Sequence, residues 1–330
     1  MAAYRTLALL KGNESVRMTR LPRSICSVAV LSLLAVLSAA GPANAQVRGL
    51  YPPGVFSTNS GVMPEPGLTY ANYFLDYTFN ELHGADGQRL QANPAFTVLI
   101  DASLFEYVSK KKILGANIGT IAILPVANAS LSFAALGNVA GGAGFADSYF
   151  LPVVLGWHLK RADIQAGYSF VAPTGRFVPG STTNIGAGYW ANSPFAGETV
   201  YLTENKATAV SAFEYYEFHG TQRDTGVHPG QTMSLDYSVT QVLPLQKNMK
   251  TLLQAGLIGY GQWQTTNKTG PTLIDNIRGR LHYGVLGLGA GANVILPERK
   301  VALGFRYYKE FHATSTVEGY SLQIWAGITF

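Results

Sequence analysis

Six histidines, His83, His158, His219, His228, His282 and His312, carry most of the chain's capacity for acid-base or metal chemistry, because it holds a single cysteine, Cys26. No H-x-x-x-H or Cys/His spacing pairs two ligands on one metal. The histidines sit in unrelated settings, without the Ser, Thr or carboxylate system that a nucleophilic mechanism needs beside a base. His83, His219, His228 and His312 fall in or beside segments that read as loops, where solvation accounts for them. Gly287-Leu288-Gly289-Ala290-Gly291 resembles a dinucleotide loop, but its third-glycine spacing is wrong and Val285–Val294 reads as a strand. The expectation is no catalytic residue, no metal site and no cofactor. A different set stands out at alternate positions of extended segments: Asp76, Asp236, Arg280, His282, Arg306 and Glu310, with Tyr260, Tyr308 and Trp325 and the amides Gln254, Gln262 and Gln323. Few charges interleaved with aromatic and small residues would line a narrow passage for hydrophobic or aromatic solutes, where a water-filled pore would show a stronger ring of charge.

Such a set becomes a lining only if strands turn it inward. The chain ends Leu322-Gln323-Ile324-Trp325-Ala326-Gly327-Ile328-Thr329-Phe330, apolar at every even position. Period-2 alternation puts Leu322, Ile324, Ala326, Ile328 and Phe330 on one face and Gln323, Trp325 and Thr329 on the other, the pattern of a strand between lipid and lumen. The same two faces recur in 231–242, where Met233, Leu235, Tyr237 and Val239 alternate with Ser234, Asp236, Ser238 and Thr240. In 300–311, Val301, Leu303, Phe305 and Tyr307 alternate with Arg306, Tyr308 and Glu310. About twelve strands follow, at 69–82, 95–108, 112–124, 148–160, 163–173, 183–203, 207–218, 231–242, 250–264, 279–294, 300–311 and 317–330, or fourteen if 183–203 or 125–147 splits. Short polar turns, Ser109–Lys112 among them, alternate with longer Gly- and Pro-containing loops, as in bacterial transmembrane barrels. The fold class is therefore all-β, a transmembrane antiparallel up-and-down barrel.

Residues 1–45 read as a signal peptide: a basic n-region, an uncharged apolar run at 24–40 and Ala43-Asn44-Ala45 before the cut, with Met1 or Met18 as the start. This stretch carries Arg5, Lys11, Arg17, Arg20 and Arg23 against Glu14, so of 24 basic and 19 acidic residues 19 and 18 remain after cleavage. The basic isoelectric point belongs to the signal, which removes any case for a nucleic-acid partner. Cys26 also falls within it, leaving no thiol for a disulfide or lipid anchor. Charged residues make up 13% of the chain, well below the roughly one quarter usual for a soluble protein. A lipid-facing belt explains the deficit.

The stretch from Gly54 to Phe74, with its Pro64-Glu65-Pro66-Gly67 lead into a Tyr-rich first strand, together with Ile185-Gly186-Ala187-Gly188-Tyr189-Trp190 and the terminal Phe330, resembles the outer-membrane transporter family described as the MetA pathway of phenol degradation. The resemblance implies a channel for passive uptake of small aromatic compounds, with outer-membrane lipid and a small hydrophobic solute as partners. Phe330, Ile328 and Ala326 resemble the signal read by the barrel-assembly machinery. Residues 46–68 form a lead segment, either a periplasmic tail or a plug folded into the lumen and stiffened by Pro52, Pro53, Pro64 and Pro66. Residues 69–330 form the barrel. A structural or adhesion barrel, or a lipid-modifying enzyme, are the alternative readings.

Overall fold

The computed structural model describes residues 48–91, 93–133 and 137–330, so the expected signal segment 1–45 lies outside the described residues. Thirteen strands form: β1 (Gly67–Leu82), β2 (Pro94–Ile113), β3 (Ala116–Phe133), β4 (Gly137–Phe145), β5 (Ser148–His158), β6 (Ala162–Ala172), β7 (Ala191–Tyr201), β8 (Thr208–His219), β9 (Thr232–Pro244), β10 (Leu252–Gln264), β11 (Gly284–Leu296), β12 (Val301–Thr314) and β13 (Val317–Thr329). All pairings are antiparallel. Each strand pairs with its successor, except that β3 passes over β4 to pair with β5, and β1 pairs with β13. Twelve strands close into a barrel and β4 hangs on β3 alone. Closure matters physically because in lipid every backbone N–H and C=O must find a partner within the protein.

Alternation turned into two faces as the sequence requires. On β13, Ser321 and Gln323 are buried while Ile324 is exposed; on β12, Arg306, Tyr308 and Glu310 are buried between exposed Leu303, Phe305 and Tyr307. The seam is set by Thr69 opposite Thr329, and the Phe330 N–H donates to the Leu68 carbonyl at 2.8 Å. Phe330 shares its rim with the short connections at 114–115, 159–161, 202–207, 245–251 and 297–300, and the long loops occupy the other rim. By the usual arrangement of such barrels the first rim faces the periplasm.

Four expected boundaries are corrected. Ser109–Lys112 is not a turn: β2 continues through it, and the reversal falls at Leu114 and Gly115, whose φ values of 52° and 80° suit a tight hairpin. The lysines ride on a strand extension that water can solvate. Segment 125–147 does split, because β3 pairs with β5 through Ile123 and then switches to β4 from Val126 onward. In 183–203 only Ala191–Tyr201 is strand, and its register with β6 runs unshifted through Asn192, Ser193 and Pro194, without a bulge. Finally, β11 begins only at Gly284. Residues 265–283 form a loop with a short helix, α1 (Leu273–Gly279), whose start is capped by the Thr272 hydroxyl accepting from the Asp275 N–H at 3.1 Å.

Candidate functional site

Residues 48–66 run inside the ring of strands, entering at the long-loop rim, where Arg48 meets Thr316 and Val317, and descending to β1 at the opposite rim. Four prolines and several glycines keep this segment from forming strand or helix, so its backbone groups need other partners. The barrel wall supplies them at nearly every step. Glu217 accepts from the Leu50 and Tyr51 N–H groups at 2.8 and 3.1 Å. Asp236 accepts from the Tyr51 hydroxyl and from the Gly54 and Phe56 N–H groups, the latter two at 2.9 and 3.2 Å. Tyr308 donates to the Gly54 carbonyl at 2.9 Å, Gln262 to Tyr51 and Gln323 to Pro53, each at 3.2 Å. Lower down, Arg306 donates to the Thr58 hydroxyl at 3.0 Å and the Gly61 N–H to Thr199 at 3.0 Å.

The strongest link is at the top. Arg48 makes a bidentate pair with Glu310, which also accepts from Tyr77 at 2.9 Å, Tyr260 at 2.8 Å and the Gly319 N–H at 2.8 Å. Burial opposes the Arg48 charge, but Tyr77 and Glu310 outweigh it and hold its pKa above the ordinary guanidinium value. Burial, then Asp236, push the Tyr51 phenol well above its usual value, so it stays a donor. A buried ion pair furnished with this many donors is expensive to break by removing one partner.

Two glycines allow the close approach. Gly54 has φ of +87°, and a Cβ there would fall 2.6 Å from the Tyr308 ring. A Cβ on Gly61 would fall 2.0 Å from the Asp163 carbonyl oxygen. Below them Met63 is buried among Val108, Leu151 and Val154, over Gly119 and Gly156, and closes the floor.

These polar links are concentrated on β7–β13. Against β1, β2, β3 and β5 the segment presents Pro52, Pro53, Val55 and Phe56 and leaves a cavity of about 270 Å³. Its far wall is hydrocarbon, including Leu75, Val98, Ile100, Ile123 and Ala127. At the loop end it reaches Asn184, Ile185 and Asp147. There Asp147 accepts from the Gly175 and Ala187 N–H groups at 2.9 and 2.7 Å, while burial raises its pKa. The lumen thus has a side that holds the segment by most of its polar links and a mostly apolar side that leaves the cavity, where Tyr149 on β5 adds one bond to the Leu50 carbonyl.

Of the residues read as lumen-lining, Asp236, Tyr260, Arg306, Tyr308 and Glu310 are buried inside, and Trp325 stacks on Tyr73 at 5.8 Å beneath Arg306. Three are placed elsewhere. Asp76 lies on the outer face, opposite Leu322 and bonded to Thr78 at 3.2 Å, near Asn72 and Asp101, which bond at 2.6 Å. The inner face of β1 is Tyr73, Leu75, Tyr77 and Phe79, lining the apolar chamber, so hydrophobicity does not distinguish its two sides. Arg280 and His282 are exposed in the loop before β11, His282 within 2.8 Å of Asn267. Ala326, Ile328 and Phe330 lie on the outward face, with Phe330 exposed. Sequence reasoning missed Arg48, Tyr51, Tyr77 and Glu217, although it offered residues 46–68, with Pro52, Pro53, Pro64 and Pro66, as a lumenal plug or a periplasmic tail.

A closed antiparallel ring with an apolar exterior, polar inward positions and long loops at one rim defines an outer-membrane-type β-barrel. The sequence profile of the family described as "Putative MetA-pathway of phenol degradation" matches residues 79–325, and the chain belongs to that family. Among solved structures, an outer membrane channel from Pseudomonas putida F1 is similar at a TM-score of 0.68 and 16% identity, covering 85% of this chain and 100% of that one. The β domain of the Bordetella autotransporter BrkA is similar at a TM-score of 0.49 and 11% identity, covering 81% of this chain and 100% of that one. No curated protein matches by sequence.

Proposed function

We propose that the protein is a channel for passive uptake of small hydrophobic or aromatic compounds across the outer membrane, and that residues 48–66 plug it. One observation carries the reading: the apolar chamber of about 270 Å³ between the segment and β1–β3. A dry cavity of about 150 Å³ suffices to hold benzene, so this one accommodates a substituted single ring. Its mostly hydrocarbon wall offers few partners to a sugar's hydroxyls, which would lose most of their water uncompensated. Membership of a family named for phenol degradation, and the likeness in fold to a channel, both support it. Transport needs no energy source in the barrel, since consumption inside the cell maintains the gradient.

The floor formed by Met63 and its neighbours has to move for a solute to leave toward the periplasm. The links between the segment and β7–β13 therefore set how often the path is open. Export would follow cleavage after Ala45, and the outward Ile328 and Phe330 would be read by the assembly machinery. The test is influx of labelled phenol or toluate against a polar sugar into liposomes holding the refolded protein, with and without residues 48–66. Faster aromatic entry, increased by the deletion, is expected. Equal entry of both solutes through the intact protein would make it a general pore, and no influx through either form would overturn the reading.

A further inference from the structure

At the long-loop rim β1 and β13 meet in an arrangement that the transport reading does not use. A register shift between Phe79 and Glu81 brings Glu81 directly opposite Glu318 on the neighbouring strand. Like charges at directly opposed positions destabilise a sheet unless a cation lies between them. His83 turns toward the same point. Its Nδ1 lies 2.9 Å from the Gly87 carbonyl, which can only accept, so Nδ1 carries a hydrogen and Nε2 is the ring atom left to face the two carboxylates. That Nε2 is 3.4 Å from Glu81 Oε2 and 3.7 Å from Glu318 Oε2, and it is buried with no hydrogen-bond partner. Two carboxylates and a ring nitrogen without a hydrogen-bond partner thus converge on one point, and Arg89 reaches only the far oxygen of Glu81.

We propose that Glu81, His83 and Glu318 form a binding site for one divalent transition-metal ion. The three ligand atoms lie within 4.8 Å of one another. Ligands on a tetrahedral ion at about 2.1 Å stand about 3.4 Å apart, which the two separations from Nε2, 3.4 and 3.7 Å, approach. Arg89 does not occupy the site, because its guanidinium lies 3.3 Å from the other oxygen of Glu81. The Ala313 N–H, 3.3 Å from Glu318 Oε2, uses one lone pair of that oxygen and orients the carboxylate. One imidazole with two carboxylates suits zinc, nickel or copper better than calcium or magnesium, which take oxygen alone. The Gly87 carbonyl holding Nδ1–H is the usual outer partner of a metal-bound histidine. The ion would clamp the β1–β2 hairpin to the start of β13, beside the Thr316 and Val317 atoms that hold Arg48.

The experiment is titration of the folded, tag-free full barrel in detergent with Zn²⁺ by calorimetry and with Co²⁺ by visible absorption. One equivalent should bind, and Co²⁺ should show the intense band of a low-coordinate site. His83→Ala and Glu318→Gln should each weaken binding by more than the 10- to 100-fold typical of losing an outer partner. His282→Ala, on the same rim, should leave it unchanged. Folding of each variant is checked by heat-modifiable mobility, so that two ligand variants guard against one failing to fold. Absence of saturable binding to the wild type, or equal binding by both folded ligand variants, overturns the proposal. So does a His83 ring protonated on both nitrogens by NMR with no metal uptake, since the proton would then be the cation that the site holds.

Discussion

Replacing Arg48 with Met tests whether the polar half of the lumen sets the closed state. The substitution removes the bidentate pair with Glu310, the bonds to Thr316 and Val317 and the stacking over Tyr77 at 5.6 Å. Both groups of the pair are buried, with side-chain exposures of 11% and 0%. Removing one partner of such a pair costs about 3–5 kcal/mol. Glu310 keeps three donors, from Tyr77, Tyr260 and the Gly319 N–H, which places the loss near the lower end, about 3 kcal/mol. Arg48 sits on the segment and Glu310 on the wall, so this energy comes out of docking, not out of the barrel. At about 1.4 kcal/mol per tenfold, the undocked fraction rises roughly 150-fold. Aromatic influx into liposomes, and the open fraction of single channels in planar bilayers, should increase by up to that factor until the open state dominates. The double variant Arg48→Met/Glu310→Gln should open less than Arg48→Met, because no uncompensated carboxylate then remains on the wall. Influx through Arg48→Met within twofold of the wild type, with the barrel shown folded by heat-modifiable mobility, would refute the reasoning.

Gly61→Val should also raise influx, since even a Cβ there meets the Asp163 carbonyl oxygen at 2.0 Å, and protease access to residues 57–66 should increase in step. Ala127→Phe projects a ring into the apolar chamber and should lower phenol influx at least about tenfold while leaving thermal stability of the barrel nearly unchanged; unaltered influx would remove the chamber from the path. Phe330→Ser should reduce the amount of protein reaching the outer membrane but not the stability of barrel refolded in detergent, because the residue is 67% exposed; equal loss in both measurements would make its role structural.

The strands were legible where lipid enforces a simple rule. On β9, β12 and β13 one face meets hydrocarbon and the other meets polar partners, so period-2 hydrophobicity marks both the strand and its inward set, and Asp236, Arg306, Tyr308 and Glu310 follow from parity. On β1 the rule gives no answer. Its inner residues line an apolar chamber and its outer ones include Asn72, Asp76 and Thr78, so the contrast between faces disappears and Asp76 was assigned to the wrong side. Arg280 and His282 were misplaced for another reason: residues 279–283 can extend either as strand or as loop, and a local pattern does not record where β10 stops offering hydrogen bonds.

By itself, then, the sequence determined an all-β chain of about twelve membrane-length strands with an aromatic end, because backbone satisfaction in lipid and alternation are local properties repeated along the chain. Tertiary structure decided what the lumen contains. The wall partners of Arg48, Tyr51 and Gly54 stand between 166 and 269 residues away in sequence, on strands with no periodic relation to the lead segment. Such contacts arise only when closure of the ring brings its inner wall around residues 48–66. The same closure sets Glu81 opposite Glu318, 1 near the start of the barrel and the other near its end, through a single register shift that no local pattern encodes.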